Sequence, residues 1–291
     1  MSMKNVIYCL IAVITISACS TNKYKAAAPR LITIGIRGDD TPQYTFHYDE
    51  AGNLQELVHH EQSNDTNVST FFYDNAHRIT AMVLSNRDTN QVQQRAQVTA
   101  WDKEGNVTEI KYFDAKKQPL RTASIRWKKG LPEVMKYSDS MQAISWNYSK
   151  HDAKRKDICI DSFSGKKEDT LVTLRTAHYE WDDSINPMRP IVNQLLISCA
   201  VAPATHLTPV GNLSNAFLHL STNNPSLVRI TEKETPVYQP HYQPYERSSL
   251  YQYTYYYNAN GFPLGAWVHL HSEGFTQAGT DTQFIMEYHY E

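Results

Sequence analysis

His269 and His271 stand two residues apart in Trp267-Val268-His269-Leu270-His271, a spacing that turns both imidazoles to one face of a β-strand beside Trp267. Two ring nitrogens are half of a tetrahedral metal set, and His289 near the chain end is the residue that would add a third. A metal needs three or four converging ligands. The bland reading is therefore two histidines on the wetter face of a strand, and no metal or other cofactor is expected. His59-His60-Glu61 is a weaker set, because neighbouring strand residues point to opposite faces. Gly165-Lys166-Lys167 lacks the upstream glycine of a phosphate loop and reads as a charged turn. No G-x-S-x-G elbow, Walker loop, dinucleotide fingerprint or H-E-x-x-H pair occurs. Acids are plentiful, among them Asp182, Asp183, Glu232 and Glu234, but a hydrolase would need two carboxylates converging in a cleft at about 5–10 Å. No catalytic residue is assigned, and the chain is expected not to be an enzyme.

The strongest binding candidate is aromatic. Tyr238, Tyr242, Tyr245, Tyr251, Tyr253, Tyr255, Tyr256 and Tyr257 crowd one stretch, with Pro240 and Pro244 between the first three. On a strand, Tyr251, Tyr253, Tyr255 and Tyr257 share a single face. Exposed, that row, with Trp267 nearby in sequence, would be a platform for sugar rings or a protein partner. Buried, it would be the aromatic ladder of a hairpin sheet.

Four cysteines are present, Cys9, Cys19, Cys159 and Cys199. The first residues run MSMKNVIYCLIAVITISAC: Lys4 gives a positive start, and residues 6–16 form an apolar core too short to span a bilayer comfortably. Ser17 and Ala18 are small, as a signal-peptidase site requires. The ending Ile16-Ser17-Ala18-Cys19 resembles the bacterial lipobox. That resemblance implies cleavage before Cys19, a diacylglyceryl thioether on its sulfur and an acylated (palmitate-type) N-terminus, and more than one acyl chain makes anchoring stable. Residues 1–18 would then be a lipoprotein signal peptide that removes Cys9, and residues 19–30 a polar tether. Cys159 and Cys199 remain in the mature body, where one disulfide and two separate buried thiols are both open.

No other apolar run approaches the ~20 residues of a membrane helix. The formal net charge of -2 offers no electrostatic footprint for nucleic acid and no polybasic membrane patch. The implied address is the cell envelope, at the outer membrane, with the periplasmic or surface face open.

Positioning any of these residues falls to β-structure. From about residue 31 the apolar period is two: Tyr44, Phe46 and Tyr48 share one face, Thr45 and His47 the other. Asp49-Glu50-Ala51-Gly52-Asn53 follows as a turn in which the Asp carboxylate caps and Gly accepts the left-handed conformation. The unit recurs at Tyr73-Asp74, Trp101-Asp102, Phe113-Asp114, Trp127-Lys128, Trp146-Asn147 and Tyr257-Asn258. A single all-β domain over residues 31–291 is predicted, an antiparallel β-meander of repeated hairpins forming a curved or single-layer sheet. Its middle, about 186–236, breaks the rhythm with prolines and short helical patches, as an insert covering one face or end of the sheet.

These units resemble the aromatic-Asp-x-x-Gly-Asn pattern of YD (Rhs-type) repeats. More closely, the chain resembles uncharacterised secreted lipoproteins of the Bacteroidetes type, on the hairpins together with Trp181-Asp182-Asp183-Ser184-Ile185-Asn186-Pro187 and Ser221-Thr222-Asn223-Asn224-Pro225. In that group a strand runs into an Asn-Pro element, a variable insert follows, and an Asn-Asn segment leads back to the sheet. The resemblance implies fold and address and lends no chemistry. The expected function is a membrane-anchored envelope component with a non-catalytic binding or structural role. The rivals are a glycan-binding component of a nutrient-uptake system and a hydrolase.

Overall fold

The computed structural model describes residues 29–60, 66–139, 142–149, 152–162, 170–198, 213–238, 245–274 and 277–291. Residues 1–28 with Cys19, and Cys199, Tyr242 and Gly165-Lys166-Lys167, lie outside them. Period-two patterning produces β-strands throughout: β1 Leu31–Ile36, β2 Tyr44–Tyr48, β3 Leu54–His60, β4 Thr66–Tyr73, β5 Ile79–Asn86, β6 Gln91–Trp101, β7 Val107–Asp114 and β8 Pro119–Lys128. The second half comprises β9 Leu131–Tyr137, β10 Gln142–Tyr148, β11 Asp152–Ser162, β12 Thr170–Ile185, β13 Asn223–Pro236, β14 Tyr245–Tyr257, β15 Pro263–Gly274 and β16 Gln277–Tyr290.

Each strand pairs antiparallel with its sequence neighbours, as a meander requires, but the sheet does not stay open. β1 pairs with β16, with Ile34 opposite Tyr288, and closes the sixteen strands into a barrel. This corrects the expectation of a curved single-layer sheet with free edges, and closure removes the edges on which further strands could pair. Asn223–Pro236, expected within the insert, forms strand β13, so the sheet resumes at Asn223.

Five turns share one geometry. Asp49, Asp74, Asp102, Asp114 and Asn258 each accept, on the main-chain oxygen, the N–H of the residue three on (Gly52, His77, Gly105, Lys117, Gly261) at 2.9–3.1 Å. Those five acceptor positions are followed by residues at positive φ, from 59° at His77 to 84° at Gly52. The side chain adds a second bond: Asp49 Oδ1 accepts from the Asn53 N–H at 2.8 Å and Asp102 Oδ1 from Asn106 at 2.8 Å. At four places an aromatic near a strand end then staples the preceding strand. Tyr73 donates to the Leu54 carbonyl (2.6 Å), Trp101 to Ile79 (3.1 Å), Trp127 to Val107 (2.7 Å) and Tyr290 to Pro263 (2.8 Å). Every acceptor opens the strand next to the donor's own. A ring with a hydrogen-bond donor is therefore needed, which is why Tyr and Trp occupy a place that Phe fills less well.

The core lies inside the barrel. Ile34, Phe46, Met82, Ile110, Tyr112, Ile144, Val268 and Met286 point inward and are buried. Sixteen-stranded membrane barrels enclose a channel too wide for wall side chains alone to fill. Here described residues of the insert pack into that space: a 3-10 turn Arg189–Ile191, helix α1 Val192–Ile197 and a second 3-10 turn Leu213–Ala216 place Leu195, Leu196, Ile197 and Phe217 against the inner wall, all fully buried. Each such side chain contributes about 1.5–3 kcal/mol by leaving water.

The outer face is largely polar, with Ile158, Tyr256 and Trp267 exposed among the polar residues. Ser124, Arg126, Lys136, Ser145, Lys154, Lys156, Arg229, Thr231, Lys233, Gln252 and Thr254 are exposed along β8 to β14. One outward glycine has a packing reason: a Cβ on Gly265 would sit 2.0 Å from the Tyr256 hydroxyl and 2.6 Å from the Met286 carbonyl, because the Tyr256 ring lies across it. Tyr256 then accepts from Arg37 (3.0 Å), whose Nε donates to Glu287 at 2.6 Å, tying β14 to β1 across two strands.

Candidate functional site

The four-tyrosine row is split from its supposed platform partner. Tyr251 and Tyr253 are buried on the inner wall, and Tyr253, Tyr255 and Tyr257 stack at 5.8 and 5.7 Å as a ladder. Trp267 is 53 % exposed on the outer face, opposite Thr254. The row and Trp267 therefore do not share a surface, and the ladder packs the plug: the Tyr253 hydroxyl donates to the Ala216 carbonyl at 3.2 Å.

His269 and His271 do lie side by side outside the barrel, flanking Asp281. His269 Nε2 is 2.5 Å from one carboxylate oxygen and His271 Nδ1 3.7 Å from the other. The two imidazoles hold the Asp281 carboxyl below its usual range, chiefly through the His269 hydrogen bond. His289 pairs opposite Thr33, roughly 26 Å along β16 from Asp281 at the usual rise per strand residue. It cannot complete the set. Among the described residues no three His, Cys, Asp or Glu converge as metal ligands.

The acids take structural positions. Asp182 accepts from the Ser184 N–H (3.0 Å), the Asn224 N–H (3.2 Å) and the Tyr257 hydroxyl. Asn186, 1 % exposed, donates to the carbonyls of His219 (3.0 Å) and Ser221 (3.2 Å) and accepts from the Met188 N–H (3.0 Å). Asn224 donates to the Ile185 carbonyl at 3.0 Å. Asp182, Asn186 and Asn224 thus form a neck that closes the two ends of the insert on each other at the barrel mouth.

Glu232 and Glu234 converge, though not as an acid–base pair. Both face inward on β13 and share Arg247 of β14; Glu232 also takes Arg175 of β12 at 2.6 Å. Beside them Arg155 of β11 grips Asp157 through two bonds of 2.7 and 2.8 Å. Three guanidiniums and three carboxylates balance, and both Glu232 oxygens accept from guanidiniums. Sequence reasoning missed Arg155, Asp157, Arg175 and Arg247. The available signal was parity: each sits two or four residues from an inward apolar residue of its own strand, as Arg247 does from Tyr251 and Asp157 from Ala153.

Cys159 is buried on the inner wall with the Gln142 amide 3.5 Å from its sulfur. Above the ladder, His219 is buried with Nε2 3.0 Å from the Ala216 carbonyl and its ring edge-on to Tyr179 and Tyr253. Burial lowers its pKa from 6.5 to about 4. The unfolded chain therefore takes up a proton at His219 that the native state refuses until near pH 4. Stability from this group is complete above pH 6.5 and should fall by about 2–3 kcal/mol between pH 6.5 and 4.5. Urea unfolding of the His219→Gln variant should lose that component of the pH dependence.

No protein-family model and no curated protein matches the chain. Among solved structures it is similar to a porin-like protein from Bacteroides uniformis, with TM-score 0.51 and 12% identity over 90% of this chain and 96% of that one. A porin-like protein from Bacteroides vulgatus aligns with TM-score 0.30 and 9% identity over 91% and 99% of the two chains, a likeness too slight to argue from. The first likeness shows the fold, an all-β one.

Proposed function

We propose that this chain is a non-catalytic component of the cell envelope whose barrel stands outside the lipid, held to the membrane through lipid on Cys19. The observation that carries this reading is the polarity of the wall. Barrels that cross a membrane present an apolar band about 25 Å tall to lipid and line the lumen with polar groups. Here Lys154, Lys156, Lys136 and Arg229 lie on the outward face, while the inner wall is largely apolar and its charged groups are paired among themselves. Each outward Lys or Arg would cost about 2–4 kcal/mol at a bilayer midplane. The similar protein from Bacteroides uniformis is described as porin-like; in this chain the same fold is better suited to a solid scaffold than to a pore.

The tether supports the arrangement. Arg30 and Glu291 meet at the end of the barrel that holds the neck of the insert, and residues 19–30 reach up to about 40 Å when extended. Fractionation tests the reading. The native protein should pellet with membranes and resist high salt, Cys19→Ala should be recovered soluble, and mass spectrometry should find acyl mass on Cys19. Retention of Cys19→Ala in the membrane, or stepwise ion conductance in planar bilayers, would overturn it.

A further inference from the structure

At several places on the outer wall a cation meets an acid: Arg37 holds Glu287, Arg87 holds Glu56, Arg126 holds Glu133 and Lys233 holds Glu246. Lys136 on β9, Lys154 and Lys156 on β11 and Arg229 on β13 are exposed as well. None of these four forms an ion pair with a described residue.

Register gathers the four onto one side of the barrel. Lys136 stands opposite Ala143 of β10, which stands opposite Ile158 of β11. Lys156 stands opposite Ser145, and Lys154 opposite His178 of β12, which in turn faces Arg229. The other outward positions in register with them across β10 to β13 are Ala, Ser, Asn, Ile, Leu, Thr, His and Lys. Acids come only at the margins, Glu180 beside His178 and Glu246 beside Lys233. At ordinary strand spacing and rise the patch is about 19 Å across and about 13 Å along the strands. A net charge of -2 conceals it, because the balancing acids stand elsewhere on the molecule.

We propose that this face rests on a lipid surface bearing anionic headgroups, so that the tethered barrel lies on its side. The premise is the reading above that the barrel stands outside the lipid. The same cations that forbid burial in hydrocarbon are attracted to a negative leaflet, and a basic patch adds its binding to that of an acyl anchor. Three features favour headgroups over an acidic glycan. No tyrosine or tryptophan stands among the four cations to take a sugar ring. Three of them are lysines, point charges on flexible stems that suit diffuse charge rather than a fixed carboxylate geometry. Those stems also take up the curvature of the wall, with Ile158, 36% exposed, between them as an apolar contact at headgroup level. A tether reaching about 40 Å from the barrel end leaves the wall free to lie down.

The test uses the Cys19→Ala chain, which carries no acyl group, sedimented with vesicles of phosphatidylcholine alone or of phosphatidylcholine mixed with phosphatidylglycerol. At low salt it should sediment with the mixed vesicles and stay in solution with the neutral ones. High salt should release it, since screening weakens exposed charges, and the high-salt fractionation of the lipid anchor therefore remains a separate measurement. Lys154→Gln with Lys156→Gln should weaken partitioning by about 25-fold, roughly fivefold for each charge. Arg87→Gln with Lys103→Gln, an equal change of charge away from this face, should leave it unaltered. Thermal melts confirm that each variant folds. Equal sedimentation with both vesicles, none with the anionic ones, or undiminished binding by the folded Lys154→Gln, Lys156→Gln chain would each overturn the proposal. Tighter binding of polygalacturonate than of mixed vesicles at equal anionic charge would overturn it too, in favour of an acidic glycan.

Discussion

Replacing Glu232 by alanine should lower the unfolding free energy by about 3–5 kcal/mol, the cost of leaving a buried charge unpaired. The carboxylate is 2 % exposed and holds Arg175 at 2.6 Å through Oε2 and Arg247 at 2.5 Å through Oε1. Removing it takes the carboxylate from Arg175, whose side chain is only 8% exposed, and leaves Arg247 with Glu234 at 3.6 Å. Glu232→Gln should cost nearly as much, because it preserves volume and removes only the charge. The double replacement Arg175→Met with Glu232→Met should recover most of the loss, since apolar residues of similar volume often match a buried ion pair. Urea unfolding measures all three. A loss below ~1 kcal/mol for Glu232→Ala would mean that water already screens the cluster, as it does exposed pairs.

Asn186→Ala should be the most damaging change at the barrel mouth, by roughly 3 kcal/mol, because it removes several bonds at once from a buried site. The His219 and Ser221 carbonyls and the Met188 N–H all lose their partner, and those three groups hold the entry and exit of the plug together. For a chain of this size that corresponds to a melting temperature lower by roughly 6–12 °C. Asn186→Asp separates the two halves of the side chain's role. It keeps an acceptor for Met188 and turns the donor into an acceptor facing two carbonyls, so it should be at least as harmful as alanine. Limited proteolysis reports the consequence directly: cleavage within 186–222 should accelerate far more than cleavage in the hairpins. Unchanged protection there would show that the plug is held by its buried apolar side chains alone.

Much of this architecture is local, and local features are what a linear pattern records. Alternation at Tyr44, Phe46 and Tyr48 specifies a strand with one dry face. Asp49 and Gly52, or Asp102 and Gly105, specify a turn through bonds that span three or four residues. Asn186 and Asn224 mark the insert's ends for a similar reason, since the side-chain amide satisfies main-chain groups where the sheet's own ladder stops. The N-terminal charge, apolar run, small residues and Cys19 are likewise contiguous. For these the order of residues carries the whole argument.

Closure is different. Each strand is compatible with an open sheet or a barrel, and the choice rests on Ile34 meeting Tyr288 from opposite ends of the chain. Which face is dry also follows from closure. Tyr251 to Tyr257 alternate onto one face in either case, and only the barrel with a plug inside turns that face from a platform into a packed ladder. The same holds for the charges: Asp157, Arg175, Glu232 and Arg247 lie on four strands, at separations no short-range pattern encodes, and become a network only when register aligns them. The sequence by itself determined the strands and the turns, because those depend on neighbours within a few residues. The tertiary structure alone decided what is inside and what is outside, because that depends on a ring closed across the full length of the chain.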